Sequence, residues 1–250
     1  MSSSVLDVSR QDAIAVVTLH RPSQRNAVDR ELADAVDAAL GELDADDTVR
    51  VVVLTGGPTF FSAGTDLHEP SSPATPDGGE YGLIRRHRST PIVAAVEGFA
   101  LGGGFEIVLA CDLVVAADDV RFGLPEVKRG VIANCGAFFR APAKLPPNIA
   151  TQMLLTGETL PARRAHELGL VNVLCAPGSA LDSALELAAA IVPNSPSAVR
   201  ITFDALQAAQ RDAERELWPL TDDAAAQVAV SADRAEGIAA FFEKRPPHWS

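Results

Sequence analysis

The chain has 250 residues, 47% of them hydrophobic and 22% charged, with a formal net charge of −12. That length and composition describe a soluble globular protein with a substantial core, either one large α/β domain or a domain with an appendage. The negative balance argues against nucleic acid or an anionic membrane as the main partner, and an anionic ligand would need a local basic patch.

In chain order, "VLDV" and the β-branched "AIAVVTLH" (13–20), separated by the polar "SRQD", predict an opening hairpin. "DRELADAVDAALGEL" (29–43) places Leu32, Val36, Ala39, Leu40 and Leu43 at helical spacing, with Asp29 as the cap. "RVVVLTG" (50–56) reads as a buried strand ended by glycines. "HEPSSPATPDGGE" (68–80), rich in Pro, Ser and Gly, reads as a mobile surface loop. "TPIVAAVEG" (90–98) is a second strand, followed by a helix opening at Gly102–Gly104 and by the strands "DLVVAA" (112–117) and "VRFG" (120–123). Strands alternating with helices predict an α/β core with parallel pairing. Beyond about residue 145 the strand signal fades, except in "GLVNVLC" (169–175). "VPNSPS" then interrupts, which sets a boundary between a core at 1–192 and a helical region at 193–250.

Cys111, Cys135 and Cys175 are odd in number, widely spaced and set in apolar surroundings. They read as reduced thiols of a cytosolic protein. The N-terminus lacks a basic region followed by an apolar run, and no stretch approaches the ~18 apolar residues of a membrane span, so a cytoplasmic location is predicted.

Three motifs fail on inspection. "LGGGFEI" is not a dinucleotide fingerprint, because position 107 is Ile107 rather than glycine. "FFSAG" lacks the first glycine of a nucleophile elbow, since position 60 is Phe60. "HELGL" has Leu170 where a zinc helix needs its second histidine, and no Cys/His spacing suggests a metal.

"FALGGGFEIVLAC" (99–111) sets one carboxylate, Glu106, in an apolar stretch behind three glycines. Glycines cost backbone entropy on folding, and a glutamate is rarely fully buried unless it is paired or used. A helix that begins among glycines exposes backbone N–H groups to a ligand, and its dipole favours negative charge there. Gly103 and Glu106, three apart, project to one side. One patch then offers a donor for a developing oxyanion and a carboxylate for proton transfer; the alternative is tight packing with Glu106 salt-bridged in the core. The glycine-bounded turn "FFSAGTDLH" (60–68) follows a strand, where parallel sheets place ligand sites. A second carboxylate, Glu126, follows Pro125; taken alone, beside "VKR", it reads as a surface ion pair.

These segments together resemble the enoyl-CoA hydratase/isomerase (crotonase) family. The match runs from "HRPSQRNAV" (20–28) through "FSAGTDL" (61–67), "IVAAVEGFALGGGFEIVLACDLVVAADDVRFGLPEVKRGVI" (92–132) and "LLTGETLPARRAHELGLVN" (154–172) to "EGIAAFFEKR" (236–245). "NCGAFFRAPAKLPPNIA" and "EKRPPHW" look most like its carnitinyl-CoA dehydratase-like branch. The resemblance implies repeated ββα units, two roughly perpendicular sheets and a helical C-terminal region that builds a trimer or a dimer of trimers. It implies a coenzyme A thioester as substrate, with no permanently bound cofactor and no metal. By motif, the thioester oxygen meets the N–H groups of Thr65 and Gly103, and Glu106 and Glu126 are the two hydratase glutamates. Arg25, Ala27, Ala63, Asp66, Leu67, Gly102, Pro125, Asn134 and Lys244 fall at substrate- or coenzyme-contacting positions, with Arg21 and Arg245 as further sources of positive charge. The family's "PGAGGTQRL" run is here "ANCGAFFRA" (133–141), so Phe138 and Phe139 are expected to add bulk near the acyl pocket. The implied reaction is reversible hydration of a 2-enoyl-CoA. A Δ3–Δ2 enoyl-CoA isomerase or a non-catalytic acyl-CoA-binding paralogue are the alternatives, and retention of both glutamates argues against the latter.

Overall fold

The computed structural model describes residues 5–69 and 71–250. The chain opens with β1 (Leu6–Gln11) and β2 (Ile14–Leu19), an antiparallel hairpin in which Gln11 faces Ile14. The strand thus runs through most of the polar "SRQD", and Asp12, at φ 54°, makes the turn instead. A polar run can sit in an edge strand because half of its side chains face water.

Helix α1 (Arg30–Ala45) is capped by the Asp29 carboxylate, which accepts from Leu32 N, and it buries Leu32, Val36, Ala39, Leu40 and Leu43. Next come β3 (Val51–Thr55), then β4 (Ala74–Thr75) and β5 (Gly79–Glu80). These last two pair antiparallel within the stretch expected to be a mobile surface loop. The stretch is not wholly at the surface, since Pro73, Thr75 and Gly78 are buried; Pro70 lies outside the described residues. The order comes from contacts with distant residues, which Pro, Ser and Gly content does not encode.

The chain continues through β6 (Ile92–Val96), β7 (Phe99–Leu101), α2 (Gly103–Ala110), β8 (Leu113–Ala117), β9 (Arg121–Gly123) and a 3-10 turn, Pro125–Arg129. Then follow α3 (Ala137–Lys144), α4 (Pro147–Thr156), β10 (Thr159–Pro161), α5 (Ala162–Glu167), β11 (Val173–Cys175) and α6 (Ala180–Ala189). Helices α7 (Pro196–Glu214), α8 (Leu217–Ala229) and α9 (Ala232–Glu243) complete the chain.

The main sheet has the order β1-β2-β3-β6-β8-β11 and is parallel from β2 onward. Both of its faces are covered. Val52, Leu54, Ala94 and Val96 join the large core with α1 and α2, while Val51, Val53, Val93 and Ala95 meet Ala180, Ala184 and Ala188 of α6. Burial on both faces explains the unbroken apolar runs. A second sheet, β10-β9-β7, takes over where the first ends: the chain leaves β6 at Val96 and enters β7 at Phe99. Gly98 makes that corner at φ 59°, and a Cβ there would lie 2.2 Å from the Thr59 carbonyl. These strand-to-strand corners carry the site.

Candidate active site

Two turns are stitched together at the ends of β2 and β3. Ala63 N donates to Arg25 O, Val28 N to Gly64 O, and Asp66 N to Val28 O. Asn26, buried at φ 52°, donates from Nδ2 to the carbonyls of Gly56 and Phe61, and the Ser62 hydroxyl donates to Asn26 O. The positions expected on either side of coenzyme A, Arg25, Ala27, Ala63, Asp66 and Leu67, are therefore brought into one surface.

Gly103 and Gly104 each have a neighbour that excludes a side chain, and Gly102 is required by its left-handed backbone. Gly102, at φ 56°, would place a Cβ 3.0 Å from Glu126 Oε1; at Gly103 it would meet Tyr81 Oη at 2.3 Å, and at Gly104 the Ser62 carbonyl at 2.4 Å. Gly64, at φ 91°, would place a Cβ 2.7 Å from Gly103 N. The Thr65 turn thus abuts the first turn of α2, where helix geometry leaves N–H groups without intrahelical acceptors. Thr65 and Gly103, far apart in sequence, become neighbours.

Glu106 is 1% exposed, and its Oε1 accepts from Cys135 N at 2.7 Å and Ala137 N at 3.1 Å. Burial pushes it up to about 7, against the opposing pull of those two amides. Glu126 keeps part of its backbone and stem at the surface, but both carboxyl oxygens are buried and neither has a hydrogen-bond partner. Burial, followed by the nearby Glu106 charge, pushes it up to about 8. The surface-ion-pair alternative fails, since Lys128 reaches Glu158 instead. Two buried carboxyls that sense one another titrate as a pair, and their surroundings differ: the two amide donors favour the ionised form of Glu106, whereas Glu126, with none, is the one that keeps its proton. Pro125 opens the 3-10 turn that carries Glu126.

Tyr81 is a site residue that the sequence did not reveal. Its hydroxyl is 2.7 Å from Thr65 Oγ1, donates to Ser72 Oγ at 3.1 Å, and accepts from Cys135 Sγ at 3.3 Å. Burial raises the phenol well above its usual range, so it remains a donor. It ties the Thr65 turn to the segment that holds Glu106. Its backbone is left-handed at φ 58°, unusual for an aromatic residue, and no local pattern signals it.

The remaining positions fall as follows. Asn134 is half-buried, one residue before the first amide that holds Glu106. Phe139 packs edge-on against Trp218 of α8 and Phe138 is 36% exposed, so Phe139 is engaged with the C-terminal helices. Arg21 is held by Asp29 and Asp66, and Arg245 by Glu236 and Glu243. Arg25 and Lys244 are exposed. Helix α9 lies beside the site turns: Gly237 abuts the Arg129 carbonyl, and the Phe242 ring sits 5.2 Å from His68. That brings Lys244, two residues on, towards the 65–68 turn. Among the described residues no cluster of three metal-ligating side chains occurs.

A glycine-opened helix start beside two buried, unequal carboxyls is an arrangement able to carry acid–base chemistry on a substrate whose oxygen becomes anionic. The sequence pattern of the enoyl-CoA hydratase/isomerase family matches residues 9–250. The chain is 36% identical to the 2,3-dehydroadipyl-CoA hydratase of Escherichia coli over 98% of both chains, and 36% identical to the carnitinyl-CoA dehydratase of Salmonella arizonae over 99% of this chain and 98% of that one. A carnitinyl-CoA hydratase structure from Mycobacterium avium superposes with a TM-score of 0.90 at 38% identity, covering 100% of this chain and 99% of that one. The chain belongs to the enoyl-CoA hydratase/isomerase family and has the crotonase fold.

Proposed function

We propose that the protein is an enoyl-CoA hydratase that adds water reversibly across the double bond of a 2-enoyl-CoA. Glu106, as carboxylate, takes a proton from water as the water oxygen bonds to C3. The electrons of the double bond move towards the thioester, whose oxygen becomes enolate-like and accepts from the N–H groups of Thr65 and Gly103. Glu126, as carboxylic acid, delivers its proton to C2, and Glu106 holds the proton taken from water. Each oxyanion donor of this kind is worth roughly 2.7–4 kcal/mol of transition-state stabilisation. Coenzyme A lies along the Arg25–Ala27 and Ala63–Leu67 turns, with Gly102, Pro125 and Asn134 lining the reacting end and Lys244 near the phosphates. The enzyme works in the cytoplasm as a trimer or a dimer of trimers.

The observation that carries this reading is the unequal pair: Glu106 with two amide donors, Glu126 buried with none. Relatives named as hydratases and dehydratases, at 36% identity over nearly the whole chain, support it. The test is Glu106→Gln and Glu126→Gln, assayed by loss of the conjugated thioester absorbance. Each change should lower kcat by roughly 10²- to 10⁴-fold, the usual worth of a positioned acid or base. The double variant should lose far less than the product, because groups acting as a unit are not additive. If one substitution abolishes turnover of a 3-enoyl-CoA while the other spares it, the enzyme is an isomerase. Near-wild-type hydration by both single variants would refute the two-glutamate mechanism.

A further inference from the structure

One turn beyond the amides that hold Glu106, α3 presents Arg140 to a separate cavity of about 380 Å³. Arg85, Arg86, Arg140, Arg211 and Arg215 line it together with Trp218, whose ring lies 3.9 Å beneath the Arg85 guanidinium. Four of the five are held by acids, Arg85 by Glu80 and Asp222, Arg86 by Asp37, Arg140 by Glu214 and Arg215 by Asp212, so the cavity's binding capacity rests on the guanidinium edges that these pairs leave over. Among the described residues lining it, Glu214 is the sole acid, and both its oxygens are engaged by Arg140 Nε at 2.9 Å and Nη2 at 2.8 Å.

That bidentate pair leaves one edge of Arg140 over. Arg140 is only 7% exposed, yet its Nη1 has no hydrogen-bond partner, and the buried Nη1 of Arg211 has none either. A buried cationic N–H without an acceptor is unfavourable and uncommon, and here two of them belong to side chains lining the same cavity. The planar guanidinium matches the oxygens of carboxylate and phosphate. We propose that this cavity binds the oxyanion of a small ligand, a carboxylate or a phosphate, towards which the Arg140 and Arg211 guanidiniums turn the edges that are buried and unsatisfied in its absence. Glu106, Glu126, Thr65 and Gly103 do not line it, so the site stands independently of the hydratase reading.

The test uses the full chain with Trp249→Phe, which leaves Trp218 as the one tryptophan. Its fluorescence is titrated with sodium phosphate and, separately, with sodium adipate, at constant ionic strength set by sodium chloride. The expected result is a saturable change with at least one oxyanion, weakened at least about ten-fold by Arg211→Gln, the scale of one charge-assisted hydrogen bond. Unchanged circular dichroism and melting temperature in Arg211→Gln exclude unfolding as the cause. A second arm identifies the source of the oxyanion by comparing 2-enoyl-CoA substrates with a terminal carboxylate and with a terminal methyl group. A rise in KM confined to the carboxylated substrate in Arg211→Gln assigns the oxyanion to the acyl end. Unchanged KM for both, with free-anion binding weakened, assigns it to a separate small molecule. No saturable response to either oxyanion, or an equal response in Arg211→Gln, overturns the proposal. The fluorescence arm needs no turnover, so its outcome is separable from failure of the hydratase assay.

Discussion

Glu97, Glu106 and Glu126 all turn carboxyl groups inward, and Glu126 is set apart from the other two by its hydrogen bonds, since Glu106 is held by two amides. Glu97 spends its two oxygens on Gly178 N and Ala180 N, at the start of α6. Glu126 has no such partners. Its pKa is raised from an ordinary 4.5 to about 8, so the folded state holds a proton that the unfolded chain releases. The stability cost is therefore absent below pH 4.5, grows as pH rises through that window, and is complete above about 8. Glu126→Gln removes the titration and keeps the shape. Its melting temperature should match that of the wild type near pH 5 and exceed it at pH 8, a gain on the order of a few kcal/mol at most. An equal offset at both pH values would show that Glu126 does not titrate in this range.

At the scale of elements, the turns position the chemistry, and two glycines after β3 separate conformation from packing. Gly57 and Gly64 both have positive φ, 85° and 91°. A Cβ at Gly57 meets nothing within 4 Å, whereas at Gly64 it would collide with Gly103 N and the Leu101 carbonyl. Gly57→Ala should cost about 1–2 kcal/mol of stability, the left-handed penalty alone, and leave kcat unchanged. Gly64→Ala should cost more in a urea melt and lower kcat at least about ten-fold, because it forces the Thr65 turn away from the start of α2. Equal kcat for the two variants would show that the contact between these turns does not matter to turnover.

At the scale of the molecule, the C-terminal helices are bound to the core and also leave apolar surface uncovered. Helix α7 is tied down by the Arg140–Glu214 pair and by Gln207, which donates to Asp112. Yet Ile201, Leu206, Leu220, Val230, Phe241, Phe242 and Trp249 are all exposed, and these are seven of the eleven large apolar side chains so left among the described residues. Apolar surface concentrated in one region marks an association site. Sedimentation at micromolar protein should give a trimer or hexamer, and a stable, active monomer would rule out the proposed assembly.

Much of this architecture is legible in the residues alone. The β-branched runs of β2, β3, β6 and β8 follow from burial on both sheet faces, and α1 follows from its spacing and the Asp29 cap, all local properties. Glu106 stands out because a carboxylate in an apolar stretch violates a local expectation, whereas Glu126 reads locally as a surface ion pair and is singled out by the family resemblance. Other features are decided only by residues far apart in sequence. Strand β10 is three residues long and exists because β9 offers it a partner. The Pro- and Ser-rich stretch gains β4 and β5, and Ser72 meets Thr65 and Tyr81. The opening hairpin turns at Asp12, later than the polar run suggested. The orphaned oxygens of Glu126 and the unsatisfied edges of Arg140 and Arg211 are likewise invisible in sequence. Local pattern determines which way a backbone runs, while the partner that a polar atom finds, or lacks, is set by contacts that exist only once the chain has closed on itself.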